Sequence, residues 1–253
     1  MPYYRDKGVV LRSRGLKGDD RHYVVYTEGH GKVSLLAKGT RKLRSKMSPH
    51  MAVFGEVDIM VARGKRMDRL AGASLVGSRR AVMESFGRTS HLQSFLLAVD
   101  QLTRYELPEP RVYALIVEYM DAVERGVEWR LSPGGRDLLF DAAAVKLLDI
   151  LGFGLELDVC VGCRRKLAFD GNGLNVLKGG VECRRCRTRD SRGIGGDAVK
   201  VLRYLRGEPL SRMPVLRLDE GVRREVAFLT EMQVTAHLEA RFDVLRYMNS
   251  IQY

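Results

Sequence analysis

No stretch of the chain reaches the roughly 18 consecutive apolar residues that a membrane-spanning helix needs, which argues against a span. The opening residues, Met1-Pro2-Tyr3-Tyr4-Arg5-Asp6-Lys7, hold no apolar core of the kind a secretory signal carries, so the expected compartment is the cytoplasm. Catalytic and nucleotide-binding motifs are missing as well. Gly31-Lys32 is followed by Val33 and lacks the first glycine of a G-x-x-x-x-G-K-[ST] loop. No G-x-S-x-G, H-E-x-x-H or helix-opening G-x-G-x-x-G occurs. The five histidines (His22, His30, His50, His91, His237) are scattered, and none lies near a cysteine. Asp19-Asp20 reads as a carboxylate pair, but no histidine or third acid joins it, and a turn with a salt link to Arg21 is the simpler expectation. These absences point to a binding protein, not an enzyme.

Cysteine is scarce too, and its few positions are the most informative in the chain. All four lie in two C-x2-C pairs, Cys160/Cys163 and Cys183/Cys186, with nineteen residues between the pairs. Two such turns close a tetrahedral sulfur shell at Zn–S distances of about 2.3 Å, and the spacer suits a zinc ribbon with one pair on each knuckle. Gly171, Gly173, Gly179 and Gly180 supply the turns that two short hairpins require. Redox dithiols are the competing reading, because Arg164, Arg165, Arg184 and Arg185 would lower thiol pKa values. Disulfides compete less well, since nothing indicates an oxidising compartment. The spacing favours one zinc ion held by Cys160, Cys163, Cys183 and Cys186. Four thiolates leave no open position for water or substrate, so such an ion is structural.

Charge is abundant and unevenly placed. The net charge is +12. Residues 1–80 carry 18 Lys/Arg against 7 Asp/Glu, residues 81–153 carry 7 against 11, and residues 154–196 carry 9 against 5. Residues 197–253 are close to balanced, with 9 against 8. A basic excess confined to the first segment and the cysteine module favours phosphate backbones as ligands through counterion release. No basic amphipathic helix supports a membrane surface instead.

Residues 1–80 read as a small β domain. Candidate strands at 8–14, 21–28, 32–38, 56–62 and 70–76 are rich in Val, Leu and Tyr, with glycines in the turns between them. Five short strands fit a closed barrel of the OB type, an oligonucleotide-binding scaffold, and an SH3-like barrel fits the count nearly as well. Lys38, Arg41, Lys42, Arg44 and Lys46 stand between the third and fourth strands without an acid among them, and Arg63, Lys65, Arg66 and Arg69 cluster at the next hairpin. With Arg14, Lys17 and Arg21 they form a candidate phosphate-tracking surface that is electrostatic and tolerant of sequence. Base stacking has less support, because Tyr23 and Tyr26 suit the core as well as a platform. On the second knuckle, Arg184, Arg185, Arg187 and Arg189 either extend this track or keep the module soluble.

Helices follow. Leu92, Phe95, Leu96, Val99 and Leu102 recur at helical spacing, as do Val112, Leu115, Ile116, Tyr119, Met120 and Val123. A third helix over 136–151 is apolar nearly all round and is expected at the centre of a bundle. After the cysteines, Asp197 and Asp219 are expected N-caps, and Val234, Leu238, Phe242, Leu245 and Met248 share one face of a long last helix. The expected fold is mixed α and β: an OB-type barrel over 1–80, a helical domain over 81–153, a zinc ribbon over 154–196 inserted in an all-α bundle, and C-terminal helices over 197–253 that pack on the helical domain.

Several of these stretches resemble the bacterial recombination mediator family RecO. The resemblance runs through Gly8-Val9-Val10-Leu11, Gly18-Asp19-Asp20-Arg21, Thr27-Glu28-Gly29-His30-Gly31-Lys32 and Ala37-Lys38-Gly39-Thr40-Arg41-Lys42. It resumes at Leu147-Leu148-Asp149-Ile150-Leu151-Gly152-Phe153, Leu157-Asp158-Val159-Cys160 and Gly179-Gly180-Val181-Glu182-Cys183. Two departures stand out: Asp19 where the family usually has Glu, and Arg164 where it usually has Gly. The resemblance implies binding of single- and double-stranded DNA and ATP-independent annealing of complementary strands. It also implies action with RecR, and often RecF, in the RecFOR pathway of DNA damage repair, to load RecA onto DNA coated by single-strand binding protein (SSB). The acidic C-terminal tail of SSB is the implied contact, and the nucleoid is the implied place of work.

Overall fold

Alternating apolar residues in the first 80 positions build five strands that close on themselves. In the computed structural model, which describes residues 2–16, 18–40, 48–51, 54–77, 79–126 and 138–238, these are β1 (Tyr3–Gly15), β2 (Arg21–Thr27), β3 (Gly31–Ala37), β4 (Glu56–Ala62) and β5 (Asp68–Gly77). Their order is β1-β2-β3-β5-β4, with β4 returning to β1. All pairings are antiparallel except β3 with β5. A five-stranded Greek-key barrel with this closure is the OB arrangement, which the strand count alone left open against an SH3-like barrel. The first strand begins five residues earlier than its Val-Leu run suggests. Tyr3, Arg5 and Lys7 face solvent there, while the backbone pairs Tyr3 with Ala62 through Val9 with Glu56. Inside lie Val10, Tyr23, Val25, Val33, Leu35, Val57, Ile59 and Val61, with Met51 beside them.

Val9, Leu11, Val24 and Tyr26 are also buried. They point outward from the barrel in register, and α2 (Phe86–Leu102) and α3 (Pro110–Glu124) cover β1 after the short α1 (Arg80–Met83). Tyr26 donates to the Glu109 carbonyl at 3.3 Å, so both candidate stacking tyrosines of β2 are core residues. Ser85 caps α2 by accepting from Arg88 N–H, and Leu92, Phe95, Leu96 and Val99 face inward as their spacing requires. The chain divides into two compact units, Met1–Gly126 and Val127–Tyr253. The first three helices therefore belong with the barrel.

In the second unit α4 (Leu138–Ile150) buries nearly every side chain and packs against α5 (Gly196–Gly207) and α6 (Glu220–His237). Residues 136 and 137 of the expected third helix lie outside the described residues, as do Phe242, Leu245 and Met248 of the last apolar stripe. Asp219 caps α6, accepting from Gly221 N–H at 2.7 Å. Asp197 does not cap α5. Gly195 is its N-cap, and Asp197 sits inside the first turn, where its charge still favours the positive helix end. Between α4 and α5 lies a three-stranded antiparallel sheet of β6 (Asn172–Asn175), β7 (Gly180–Glu182) and β8 (Arg192–Ile194), ordered β7-β6-β8.

Candidate metal centre and nucleic-acid interface

Two tight turns set the cysteines. In the first, Arg164 N–H donates to the Cys160 carbonyl at 2.8 Å, and Cys160 N–H to the Arg165 carbonyl at 2.8 Å. In the second, Cys186 and Arg187 N–H both donate to the Cys183 carbonyl. The turns are docked by Val161 N–H on the Val181 carbonyl (2.9 Å) and by Cys183 N–H on the Cys160 sulfur (3.2 Å). Gly162 permits this approach, because a Cβ there would stand 3.0 Å from the Cβ of Cys186.

All four Sγ atoms lie within 4.8 Å of one another, and those of Cys163 and Cys183 are 3.8 Å apart. A tetrahedral ion with bonds of about 2.3 Å has sulfur–sulfur edges of about 3.8 Å, whereas a disulfide measures about 2.05 Å. The four thiols are free, and by geometry and donor set the cluster is placed to hold a metal ion. Burial pushes the Cys160 thiol up, but N–H groups of Cys183, Cys163 and Gly162 aimed at its sulfur outweigh this and bring it down to about 6. Thiols of Cys163 and Cys183 beside Cys186 lift the latter to about 12. Crowded thiolates of this kind coexist around a cation.

Buried polar contacts support the module. Glu182 is fully buried, and hydrogen bonds from Lys178, Ser191 and Asn175 overcome its burial to hold the carboxyl at about 2. From α5, Arg203 and Arg206 donate to the carbonyls of Leu157 and Leu155 and pair with Asp158.

On the barrel, register places one outward-facing row across four strands: Arg14 beside His22, His22 beside Leu36, and Leu36 beside Arg69. Arg14 and Arg69 are exposed. His22 bonds Ser34 at 2.7 Å, and burial, then Arg12 and Arg14, hold its pKa below the ordinary value. Lys38 leaves the end of β3 exposed. Asp20 accepts from Gly39 N–H at 2.8 Å, tying the β1–β2 loop to the β3–β4 loop. Among the described residues no ion pair joins Arg21 to Asp19 or Asp20. Arg21 sits in the inward register with Ala37 and is half-buried.

Beside this row the β4–β5 loop forms one wall of a cleft of about 320 Å3, to which Lys65, Arg66 and Met67 contribute. Tyr105 and Glu106 form the opposite wall, and Val33 and Ser34 line it too. Below them a buried clasp joins β1 and β3 to the end of α2. Lys32 Nζ donates to the Thr103 carbonyl at 2.6 Å and lies 3.3 Å from Asp100 Oδ1, while Arg12 Nε meets Asp100 Oδ2 at 2.6 Å.

Comparison with known proteins then separates an OB-type barrel of any origin from a particular lineage. Residues 1–79 match the family "Recombination protein O N terminal", and residues 83–246 match "Recombination protein O C terminal". The chain belongs to this family. A DNA repair protein RecO from Rubrobacter xylanophilus is 31% identical over 89% of this chain and 90% of its own length. One from Frankia casuarinae is 30% identical over 98% of this chain and 99% of its own, and one from Dehalococcoides mccartyi is 24% identical over 98% and 96%.

In this RecO-family chain the sequence-predicted residues fall into five groups. The four cysteines converge. Arg14, Arg21 and Lys38 meet at the barrel end where β1 and β3 finish and β2 starts, with Arg21 turned inward. Lys65 and Arg66 stand in the cleft. Arg184 and Arg185 are exposed on the second knuckle, in the other unit. Lys17, Arg41, Lys42, Arg44 and Lys46 lie outside the described residues. Tyr105 had no local signal in the sequence. It follows a helix, far from the barrel strands in sequence, and only its bridge to Lys32 brings it to the cleft. Among the described residues no helix is long and apolar enough to cross a membrane.

Proposed function

We propose that this protein is a DNA repair and recombination mediator that binds single- and double-stranded DNA, anneals complementary strands without ATP, and helps RecR load RecA onto SSB-coated DNA. The observation that supports it is the cationic surface on the outer side of an OB-ordered barrel, where Arg14, Lys38 and Arg69 flank strands β2 and β3 and Lys65 and Arg66 flank the adjoining cleft. Side chains of this kind neutralise phosphates, and with charge screened two strands can meet. In this reading Lys17, Arg21, Arg41, Lys42, Arg44 and Lys46 are further DNA contacts, as are Arg184 and Arg185 of the other unit.

The barrel over 1–80 is the DNA-binding domain, and residues 154–196 are a zinc finger of the ribbon type between helical segments 81–153 and 197–253. Zinc suits four cysteine sulfurs in a closed shell. It supplies a crosslink and no reactive position, so the protein acts as a binding and annealing factor without catalytic chemistry. Its partners are RecR, the SSB C-terminal tail and, functionally, RecA and RecF, in the cytoplasm at the nucleoid. Annealing of complementary oligonucleotides without ATP, first bare and then coated with the cognate SSB, tests the reading. Faster annealing on coated strands is the expected result. Binding without annealing would leave a zinc-ribbon nucleic-acid adaptor.

A further inference from the structure

We infer that the cleft between the β4–β5 loop and Tyr105 is a seat for one unpaired nucleobase, with Tyr105 as its stacking platform. This deepens the DNA-binding reading above and rests on it. Three independent observations converge on the cleft.

The first is how Tyr105 is placed. β5 pairs with β3 only through Leu35 and Leu36, so the earlier half of β3, paired with β2 on one edge, has no strand on its other edge. Tyr105 fills that gap with a parallel bridge to Lys32, and the next residue donates its N–H to the Lys32 carbonyl at 2.9 Å. The buried Lys32 ammonium stands 4.6 Å from the ring centroid, and Arg12 donates to the phenol oxygen at 3.4 Å. The ring is thus fixed on one face and at its tip, yet it remains 46% exposed. An aromatic ring held this way loses little freedom when a base stacks on it.

The second is the opposite wall. Met67 is 43% exposed across the cleft, on a loop pinned by Gly64 N–H donating to Asp68 Oδ1 at 3.0 Å. A thioether suits the edge or face of an aromatic ring. At about 320 Å3 the space is at the small end of ligand pockets, about 300–1,000 Å3, which suits one nucleotide and excludes a duplex.

The third is the charge pattern. Lys65 and Arg66, exposed on the β4–β5 loop, suit the phosphates, and Asp68 and Glu106 line the same cleft. Carboxylates repel phosphate but accept hydrogen bonds from exocyclic amines of bases. Cations for the backbone with carboxylates and an aromatic ring for the base describe a single-strand subsite. A base within a duplex is stacked on both faces and cannot enter.

The test uses the full chain and fluorescence anisotropy with three probes: a single-stranded oligonucleotide, the same strand as a duplex, and a strand of equal length with abasic sites through its centre. Tyr105→Ala should weaken binding of the base-bearing single strand by about 5- to 150-fold and change duplex and abasic binding by no more than about twofold. Tyr105→Phe keeps the ring and should bind like the wild type. A second measurement needs no variant: photocrosslinking of the wild-type protein to a strand carrying 5-iodouracil should map to Tyr105. Equal losses of Tyr105→Ala on all three probes, or no loss, together with crosslinks mapped away from the cleft, overturn the subsite and leave the DNA-binding reading standing. A wild-type chain that binds none of the probes overturns both.

Discussion

The barrel closes around Val10, Tyr23, Val25, Val33, Leu35, Val57, Ile59 and Val61, a continuous apolar core inside five hydrogen-bonded strands. The cysteine module, of similar basic character, buries far less: Leu155, Leu157, Leu174, Val181 and Ile194 around Cys160. Its three strands are only three or four residues long. So small a core does not offset the entropy of ordering the chain, and a crosslink has to make up the difference. The same surface chemistry is therefore carried by two kinds of scaffold, one held by burial and one by buried polar contacts and a four-cysteine cluster placed to hold a metal ion.

Removing the crosslink is the strongest way to separate them. Cys160→Ser takes out the buried ligand, whose sulfur also accepts from Cys183 N–H. Structural zinc contributes about 10–16 kcal/mol in small ribbons and fingers, so the module should lose both its metal and its fold while the barrel stays intact. Metal analysis with hydrogen exchange resolved by segment reads both: full exchange across residues 154–196 with protection retained in β1 to β5 is expected. Unchanged metal content and protection would remove the distinction altogether.

The first unit has a buried polar clasp of smaller consequence, joining the barrel to α2, and Asp100→Ala probes it. Burial lowers the pKa of Lys32, and the Asp100 charge opposes that shift. Without Asp100 the ammonium is left buried beside carbonyls and the Tyr105 ring with no counter-charge, and loss of one partner of a buried pair costs about 3–5 kcal/mol. Thermal melting should fall accordingly for the Met1–Gly126 unit, with metal content unaffected. A drop of the same size in both units would show that they unfold together and would break the comparison.

A smaller effect concerns whether the two scaffolds share one ligand. Arg184→Ala with Arg185→Ala should lower the slope of log affinity against log salt by about 1.4 for single-stranded DNA, two phosphates at about 0.7 each. Stability should hold, since both side chains are exposed. An unchanged slope assigns those arginines to solubility and leaves the barrel as the sole DNA surface.

What the sequence made legible follows the same division. The cysteine spacing specified the four-thiol cluster because each C-x2-C turn is local, and Val-Leu alternation found all five strands because their cores repeat every second residue. Closure order was not legible. It depends on which strand β3 pairs with beyond β4, a contact set across some thirty residues and made through Leu35 and Leu36 alone. Asp20 was expected to meet Arg21, its neighbour in sequence, and instead holds Gly39 N–H, because β2 and β3 bring the two loops to one end of the barrel. Tyr26, with an outward register, looked equally fit for stacking until α3 placed the Glu109 carbonyl over it. In each case the missing information was a long-range neighbour.

The smallest predicted effect tests the knuckle itself. Arg164 adopts φ +61°, one of three non-glycine residues with positive φ among those described. The conformation is imposed, because the chain must reverse after Cys163 for Arg164 N–H to reach the Cys160 carbonyl and for Cys160 N–H to reach that of Arg165. A left-handed backbone costs a residue with a Cβ about 1–2 kcal/mol, and glycine avoids it. The side chain returns little. It is 69% exposed and its contact with Glu156 is 3.4 Å long, the sort of pair worth about 0–1 kcal/mol. Arg164→Gly, the residue expected there from the family resemblance, should therefore stabilise the module by about 1 kcal/mol, read as slower metal loss to a chelator at constant metal content. Faster loss would mean that the arginine contributes more through its charge beside the thiolates than its backbone costs, and the module would owe part of its stability to its basic surface.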